Sequence, residues 1–438
     1  MNKPGPSTLE QLRSGALAGA RRLDLTASNL EQLPPEVFGL ADTLEVLSLN
    51  GNGLRTLPHD LGRLHRLRIV FCSDNPFERL PESLGDCPAL EMVGFKACRI
   101  TDVPAQALPP RLRWLILTDN RIDRLPQAVG ERPNLQKLML AGNRLASLPE
   151  TLAGAARLEL LRLSANRFEA LPSWLTGLPN LAWLALGGNP LDWRTVDASP
   201  LPVRHWSSLR LGPCLGEGAS GRIYRVEPDA KGERALALKL FKGEVTSDGL
   251  PDDEMRAHRV AGEHPALFSP IAELTGHPDG AKGLLLPLLP PALQALAGPP
   301  SFDSCTRDVY DPKRVFPAHA VHTMAASLAS ALAQLHRRGV LHGDFYAHNV
   351  LWNPATHDVV LSDFGAGSLL PMDQPALQQN LCSTDVRAWG LLVAELLERV
   401  ADVTDGIDGL GALRALVRDC LQPVPARRPS AEDLSGFF

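Results

Sequence analysis

Three charged side chains in the second half of the chain stand at spacings suited to chemistry on phosphates. Lys239 sits in a short apolar run, ALALKLF. Asp344 and Asn349 are five apart in LHGDFYAHNVLW, and Asp363 follows 19 residues after Asp344 in LSDFG. Upstream, LGPCLGEGASGRIYRV places glycines at Gly216, Gly218 and Gly221 and an apolar residue at Ile223. Such a glycine pattern also opens dinucleotide-binding folds, but two features favour a phosphate-covering hairpin. Alternating apolar residues flank it (Leu209 and Leu211 before; Ile223, Tyr224 and Val226 after), as two antiparallel strands require. A third strand carrying Lys239 follows with no helical stretch between, whereas a dinucleotide fold needs one.

From about Ser207 to Phe438 these motifs, in order and closed by CLQPVPARRPSAEDL, resemble the eukaryotic-type protein kinase family. The resemblance implies an α+β bilobal domain, with a small lobe over 207–286 and a large lobe over 287–438. It implies that Leu215, Gly216, Glu217, Gly218, Ala219, Ser220, Gly221 and Ile223 cover ATP. Glycine there lets backbone amides approach phosphate. Ala237 and Ile223 would contact adenine from above, and Leu286 marks the neighbourhood of the hinge. Lys239 would bind the α- and β-phosphates and be held by Glu254 of the stretch DDEMRAHRVAGEHP, with Glu263 as the alternative. Asp363 and Asn349 would hold Mg²⁺ through hard oxygen atoms, and Asp344 would accept the proton of the acceptor hydroxyl. His342 belongs to the scaffold of the loop, and Asp385 in STDVRAWG corresponds to a buried aspartate that braces it. The implied reaction moves the γ-phosphate of Mg·ATP to a protein Ser or Thr hydroxyl, with Tyr as the lesser acceptor. Alternatives are a small-molecule kinase of the same core, a nucleotide-sensing pseudokinase, and a non-catalytic scaffold. Retention of Lys239, Asp344 and Asp363 favours catalysis.

The departures from that family are specific. The loop reads H-G-D, so Gly343 replaces an arginine, and Tyr346 stands where Ser/Thr kinases carry a lysine. Few residues separate Asp363 from Asp385 and there is no A-P-E, which leaves Arg428 without its usual glutamate and the peptide-docking floor abbreviated or built differently. A proline-rich insert, PLLPPALQALAGPPSFDSCTRDVYDPKRVFP, precedes a helix starting near Ala318; it is either substrate surface or a surface loop. Val321, Met324, Ala325, Leu328, Ala331, Leu332 and Leu335 mark the buried face of that helix.

The first half is a repeat. Leu44, Leu67, Leu90, Leu112, Leu135, Leu158 and Leu181 recur at steps of 22 or 23 in the pattern L-x-x-L-x-L-x-x-N-x-L-x-x-L-P, and a degenerate copy from about Ala20 makes eight. The expected architecture is an α/β solenoid of leucine-rich repeats over 20–192, capped by a helix within 1–19 and by a cap or linker over 193–206. Asn52, Asn75, Asn120, Asn143, Asn166 and Asn189, with Ser28 and Cys98 as variants, should form a buried hydrogen-bond ladder. The Leu-Pro step should end the strand side of each coil. Ile69, Phe71, Trp114, Ile116, Met139, Leu160 and Trp183 should project from the concave sheet towards solvent, making an apolar face for a protein partner or for the chain's own second half.

The 438 residues carry a formal net charge of −5 and no basic stripe, which argues against nucleic acid. There is no signal-like N-terminus and no run of 18 apolar residues, so no membrane association is expected. Seven scattered cysteines without a C-x-x-C pair fit reduced thiols in the cytoplasm or another reducing intracellular compartment.

Overall fold

The computed structural model describes residues 7–197, 199–218, 220–228, 235–243, 245–246, 248–401 and 410–438. Two compact units form: Met1–Leu158 with Asn166–Leu175, and Glu159–Ala165 with Thr176–Phe438. The second unit therefore contains repeat-derived chain as well as the kinase-like motifs.

In the first unit, six three-residue strands pair in parallel and in chain order. They are β1 (Arg22–Asp24), β2 (Val46–Ser48), β3 (Ile69–Phe71), β4 (Met92–Gly94), β5 (Trp114–Ile116) and β6 (Lys137–Met139). The middle residue of each strand and the residue just beyond it point inward, so Leu47, Leu49, Val70, Cys72, Leu115, Leu117, Leu138 and Leu140 are fully buried. Burying each such leucine contributes ~1.5–3 kcal/mol, obtainable only once a neighbouring coil is stacked against it. The proline of the Leu-Pro step starts the return: Pro34, Pro81, Pro104, Pro126 and Pro149 precede short 3-10 turns with extended backbone. A helix, α1 (Thr8–Arg13), precedes β1 and opens with a Ser7–Glu10 capping box.

The asparagines bond as a ladder. Asn143 Nδ2 donates to Leu117 O and Leu140 O, both at 2.9 Å, while its Oδ1 accepts from Ile122 N at 3.1 Å. Asn120 and Asn75 repeat this one and three coils away, and Cys98, in the coil between them, donates its thiol to Cys72 O at 3.5 Å.

The concave columns are less open than the sequence implies. Ile69, Leu160 and Trp183 are only 2–4 % exposed, and Phe71, Trp114, Ile116 and Met139 are half-buried. Adjacent strands lie so close that large side chains in one column cover each other. Lys137 Nζ stands 4.4 Å from the Trp114 ring centre, and Trp114 Nε1 reaches Met139 Sδ at 3.4 Å.

The second unit begins with two parallel strands, β7 (Leu160–Arg162) and β8 (Trp183–Ala185). Next, β9 (Val203–His205) leaves the 193–206 segment and pairs in parallel with β13 (Ala272–Thr275). It thereby completes a six-stranded sheet with β10 (Arg210–Glu217), β11 (Gly221–Glu227), β12 (Leu236–Phe241) and β14 (Gly283–Pro287), in the order β10-β11-β12-β14-β13-β9. One helix, α2 (Pro251–Ala261), contributes Met255 to an apolar cluster with Ala237, Phe241, Leu284 and Leu286. Beyond β14 the longest elements are helices, α3 (Ala318–Arg337), α4 (Pro375–Leu397), α5 (Gly411–Cys420) and α6 (Ala431–Gly436). The seven apolar positions expected on α3 are all fully buried, as is Trp389, whose indole donates to Ala325 O at 3.3 Å. Among the described residues, no helix is long and apolar enough to cross a membrane, and all seven cysteines are free thiols.

Repeat-derived chain fills the space beside the shortened stretch after Asp363. Arg194 N donates to Asp373 Oδ1 at 3.0 Å, Met372 N to Arg194 O at 2.9 Å, and Leu186 N to Ser368 Oγ at 2.9 Å. Arg428, deprived of a glutamate, donates to three carbonyls: Gln422, Ser383 and, at 2.7 Å, Pro179. Arg387 Nη2 donates to Asn180 Oδ1 at 2.5 Å. The insert is a brace. Arg307 forms two bonds to Glu159 at 2.9 and 3.2 Å, and Tyr310 Oη donates to Glu395 at 3.2 Å. Strand β8 crosses directly under Gly343, whose φ is +70° and where a Cβ would overlap the Leu184 carbonyl oxygen.

Two stability predictions follow from these contacts. Asn143→Ala strands two carbonyls and an amide in a dry interior, so it should destabilise by at least ~2 kcal/mol in urea unfolding. Gly343→Ala forces a Cβ into the β8 backbone at a left-handed φ and should cost ~1–3 kcal/mol, read as a lowered unfolding temperature; an unchanged transition would remove the close approach as the reason for glycine.

Candidate active site

The glycine-rich segment spans the turn between β10 and β11, with Gly216 opposite Ile223 and Glu217 opposite Arg222. Its three glycines differ in what surrounds them. Gly221 packs on the backbone of β12, where a Cβ would lie 2.7 Å from Leu240 O. At Gly216 and Gly218 a Cβ would meet nothing within 4 Å, so internal fit does not account for glycine there. Leu215 is exposed, Ser220 is half-buried, and Ala219 lies outside the described residues. Ala237 pairs with Leu286 across β12 and β14, and Ile223 packs on the same cluster. Leu286 is thus a strand residue, one step before the chain leaves the sheet.

Lys239, next but one to Ala237 and on the same face, donates to Glu254 Oε1 of α2. Glu263 is not its partner; that residue offers its carbonyl to Gln334. Lys239 Nζ also stands 3.7 Å from Asp363 Oδ1. Burial disfavours the Lys239 ammonium, but the Glu254 and Asp363 carboxylates outweigh it and its pKa rises. Desolvation would raise the Asp363 pKa; Lys239 and a bond from Gly365 N outweigh it, so that carboxyl is lowered and stays ionised. Asp363 holds φ +56°, a left-handed conformation unusual for a residue with a side chain.

Asp344 and Asn349 stand on the loop between β15 (Val340–Leu341) and β16 (Val350–Trp352). The loop is fastened at both ends. Asp385 accepts from His342 N at 2.8 Å and Gly343 N at 2.9 Å, and its Oδ2 lies 3.2 Å from His336 Nε2. Asp308 of the insert accepts from His348 N at 3.0 Å and pairs with His348 Nδ1 at 2.7 Å. Burial opposes a charge on His348, but Asp308 prevails and raises its pKa. Asn349 Nδ2 donates to Asp344 O at 2.9 Å and Oδ2 at 2.7 Å. Ser362 N and Oγ both donate to Asn349 O at 2.8 Å, which ties Asn349 to the strand leading into Asp363. Phe364 is buried between His258 and His342, with ring centres 4.2 and 5.0 Å away.

Two groups that the motifs do not name complete the site. Arg162 at the end of β7 donates to Asp344 Oδ1, to Asp248 Oδ1 at 2.6 Å and to Gly343 O at 2.9 Å. Its side chain is 2 % exposed. Burial opposes its charge, and Asp344 and Asp248 overcome that and raise its pKa. Trp183 of β8 stacks on Tyr346 with ring centres 4.1 Å apart and planes 6° from parallel, and its indole donates to Phe345 O at 3.3 Å. A sequence signal for Arg162 exists, since it is the one basic residue in a concave column whose other charged member is Asp24. Nothing in the motif spacing pointed to Asp248 or Asp308.

The oxygens of Asp363 and Asn349 suit a hard divalent cation. Asn349 commits its amide nitrogen to Asp344, which leaves Oδ1 as the ligand atom. The donor set therefore fits Mg²⁺.

The leucine rich repeat family matches residues 18–77, 110–168 and 133–191, and the lipopolysaccharide kinase (Kdo/WaaP) family matches residues 294–382. The serine/threonine-protein kinase SBK2 of Homo sapiens is 37 % identical over 192 residues, which is 42 % of this chain and 51 % of that kinase. SBK2 of Rattus norvegicus is 29 % identical over 192 residues, 42 % of this chain and 49 % of the kinase. Roco10 of Dictyostelium discoideum, a serine/threonine-protein kinase whose name describes it as inactive, is 31 % identical over 97 residues, 22 % of this chain and 4 % of that protein. The match thus spans about half the length of the SBK2 kinases and a small part of roco10. The chain carries leucine-rich repeats together with a kinase-like domain whose relatives include serine/threonine kinases.

Proposed function

We propose that this chain is an ATP-dependent protein kinase that phosphorylates Ser or Thr hydroxyls. The observation that carries the reading is the meeting of Lys239, Glu254 and Asp363 beside the bonded pair Asp344–Asn349, in one continuous cluster. Lys239, held by Glu254, neutralises charge on the nucleotide phosphates. Asp344 orients the acceptor hydroxyl and takes its proton as the new O–P bond forms, while the bond from the γ-phosphorus to the ADP oxygen breaks and ADP leaves. Mg²⁺ held by Asp363 and Asn349 would neutralise charge on the transferring group and on the leaving diphosphate. Ile223, Ala237 and Leu286 offer an apolar surface for the base.

The repeats would bring a protein partner to the site and raise its local concentration, with Phe71, Trp114, Ile116 and Met139 as the accessible part of the expected face. Free thiols throughout fit a reducing compartment, which we take to be the cytoplasm. A second reading, phosphorylation of a small hydroxylated acceptor, draws support from the Kdo/WaaP match and from the short stretch between Asp363 and α4.

With labelled Mg·ATP, the wild-type chain should incorporate phosphate into itself or a casein-type acceptor, recovered by mass spectrometry as phosphoserine or phosphothreonine. Lys239→Met should lower the rate by on the order of 10²-fold or more with an unchanged unfolding transition; full activity would refute the assigned role. Sugars and aminoglycosides should be poor acceptors, and a rate on either that exceeds the protein rate would establish the second reading instead.

A further inference from the structure

We infer that Arg162 is a positioning residue for phosphate transfer, a cation lent to the catalytic loop by a repeat strand. This deepens the kinase reading above and rests on it.

The loop His342–Asn349 contains no lysine or arginine. Its Asp344 is 16 % exposed at the side chain, and Asp248 lies across from it at 23 %. Two carboxylates this close, with little water between, repel one another and would also repel an incoming phosphoryl group. Among the described residues, the cationic side chain bonded to both is Arg162. A guanidinium presents a planar fork of donors, so three partners fix its orientation. Arg162 uses the Nε hydrogen on Asp248, one Nη1 hydrogen on Gly343 O and one Nη2 hydrogen on Asp344. It therefore holds one Asp344 oxygen while Asn349 holds the other, and the carboxylate plane is set from two sides.

The surroundings make this placement specific. Tyr346, two residues beyond Asp344, is stacked on Trp183 and uncharged, and its hydroxyl has no hydrogen-bond partner among the described residues. The stack fills the flank of the loop with apolar surface, which lowers the local dielectric and strengthens the pull of Arg162 on Asp344. Gly343 lacks a Cβ, so β8 can lie against the loop and β7 can bring Arg162 within reach. Arg307 of the insert, doubly bonded to Glu159, holds the start of the same repeat coil.

The test uses the full chain and steady-state kinetics with Mg·ATP and a casein-type acceptor. Arg162→Ala should lower kcat by on the order of 10²-fold, leave KM for ATP within about twofold, and recover part of kcat on addition of guanidinium ion. Arg162→Lys, which keeps the charge but not the fork, should fall between wild type and Arg162→Gln. That ordering is read even if the alanine variant folds poorly. Wild-type rates in Arg162→Ala would overturn the inference alone, and so would equal rates in the Lys and Gln variants. A rate above wild type would overturn it in favour of a restraining contact. A wild-type chain that transfers no phosphate to any acceptor would overturn the kinase reading, and this inference with it.

Discussion

A carboxylate deprived of water keeps its charge only when positive charge or donated hydrogen bonds reach it, and Asp344 receives both, one from far along the chain and one from nearby. Arg162 comes 182 residues earlier, and Asn349 comes from the loop itself. Burial is the largest influence on Asp344 and leaves its pKa raised, with Arg162 the strongest pull in the opposite direction. Much of the second unit can be understood as the framework this pairing requires. The β7–β8 pair carries Arg162, Gly343 admits β8, the insert clamps Glu159, and Asp385 anchors the loop from behind.

The sequence made some of this legible and hid the rest for physical reasons. The repeat was plain because each coil must bury the same positions against its neighbours, so 22–23-residue spacing is written into Leu and Asn. Lys239, Asp344, Asn349 and Asp363 were also plain, since phosphate and metal chemistry restricts the residue types that serve. Glu254 could be chosen over Glu263 only by its place on an amphipathic stretch, and the helix does put it opposite Lys239. Arg162 was harder. A solenoid pattern reports which residues point inward, whereas the concave positions vary freely, so one arginine in a concave column carries no periodic signal. Its meaning depends on a loop 180 residues away. The insert was ambiguous for the same reason: its buried polar groups, Asp308 and Thr306, look like any surface loop until their partners are known.

The exposed-face expectation failed at Ile69, Leu160 and Trp183 through a related limit. Alternation assigns a side chain to one side of a strand, but it does not say what stands on that side. In the second unit, the loop containing Phe345 and Tyr346 stands over Trp183. Apolar residues on a concave sheet therefore mark burial against something, and a ring pair 4.1 Å apart identifies that something for Trp183 as the chain itself.

The departures from the kinase pattern then become connected rather than separate losses. A side chain at 343 would collide with β8, so glycine there and a strand beside it are one structural choice. The shortened segment after Asp363 leaves the flank that residues 179–194 occupy, and Arg428 and Arg387 spend their donors on Pro179 and Asn180 in that stretch. Remove the repeat-derived chain and two arginines lose acceptors, Asp344 loses its cation, and the Trp183–Tyr346 surface opens to water. The first two losses remove hydrogen bonds and a neutralising charge, and the third returns apolar surface to water. The motif-bearing region starting at Ser207 therefore shares hydrogen bonds and ring contacts with repeat-derived chain of the same unit. The physical boundary of the second unit lies inside the repeats, where Glu159–Ala165 and the chain from Thr176 onward already belong to it.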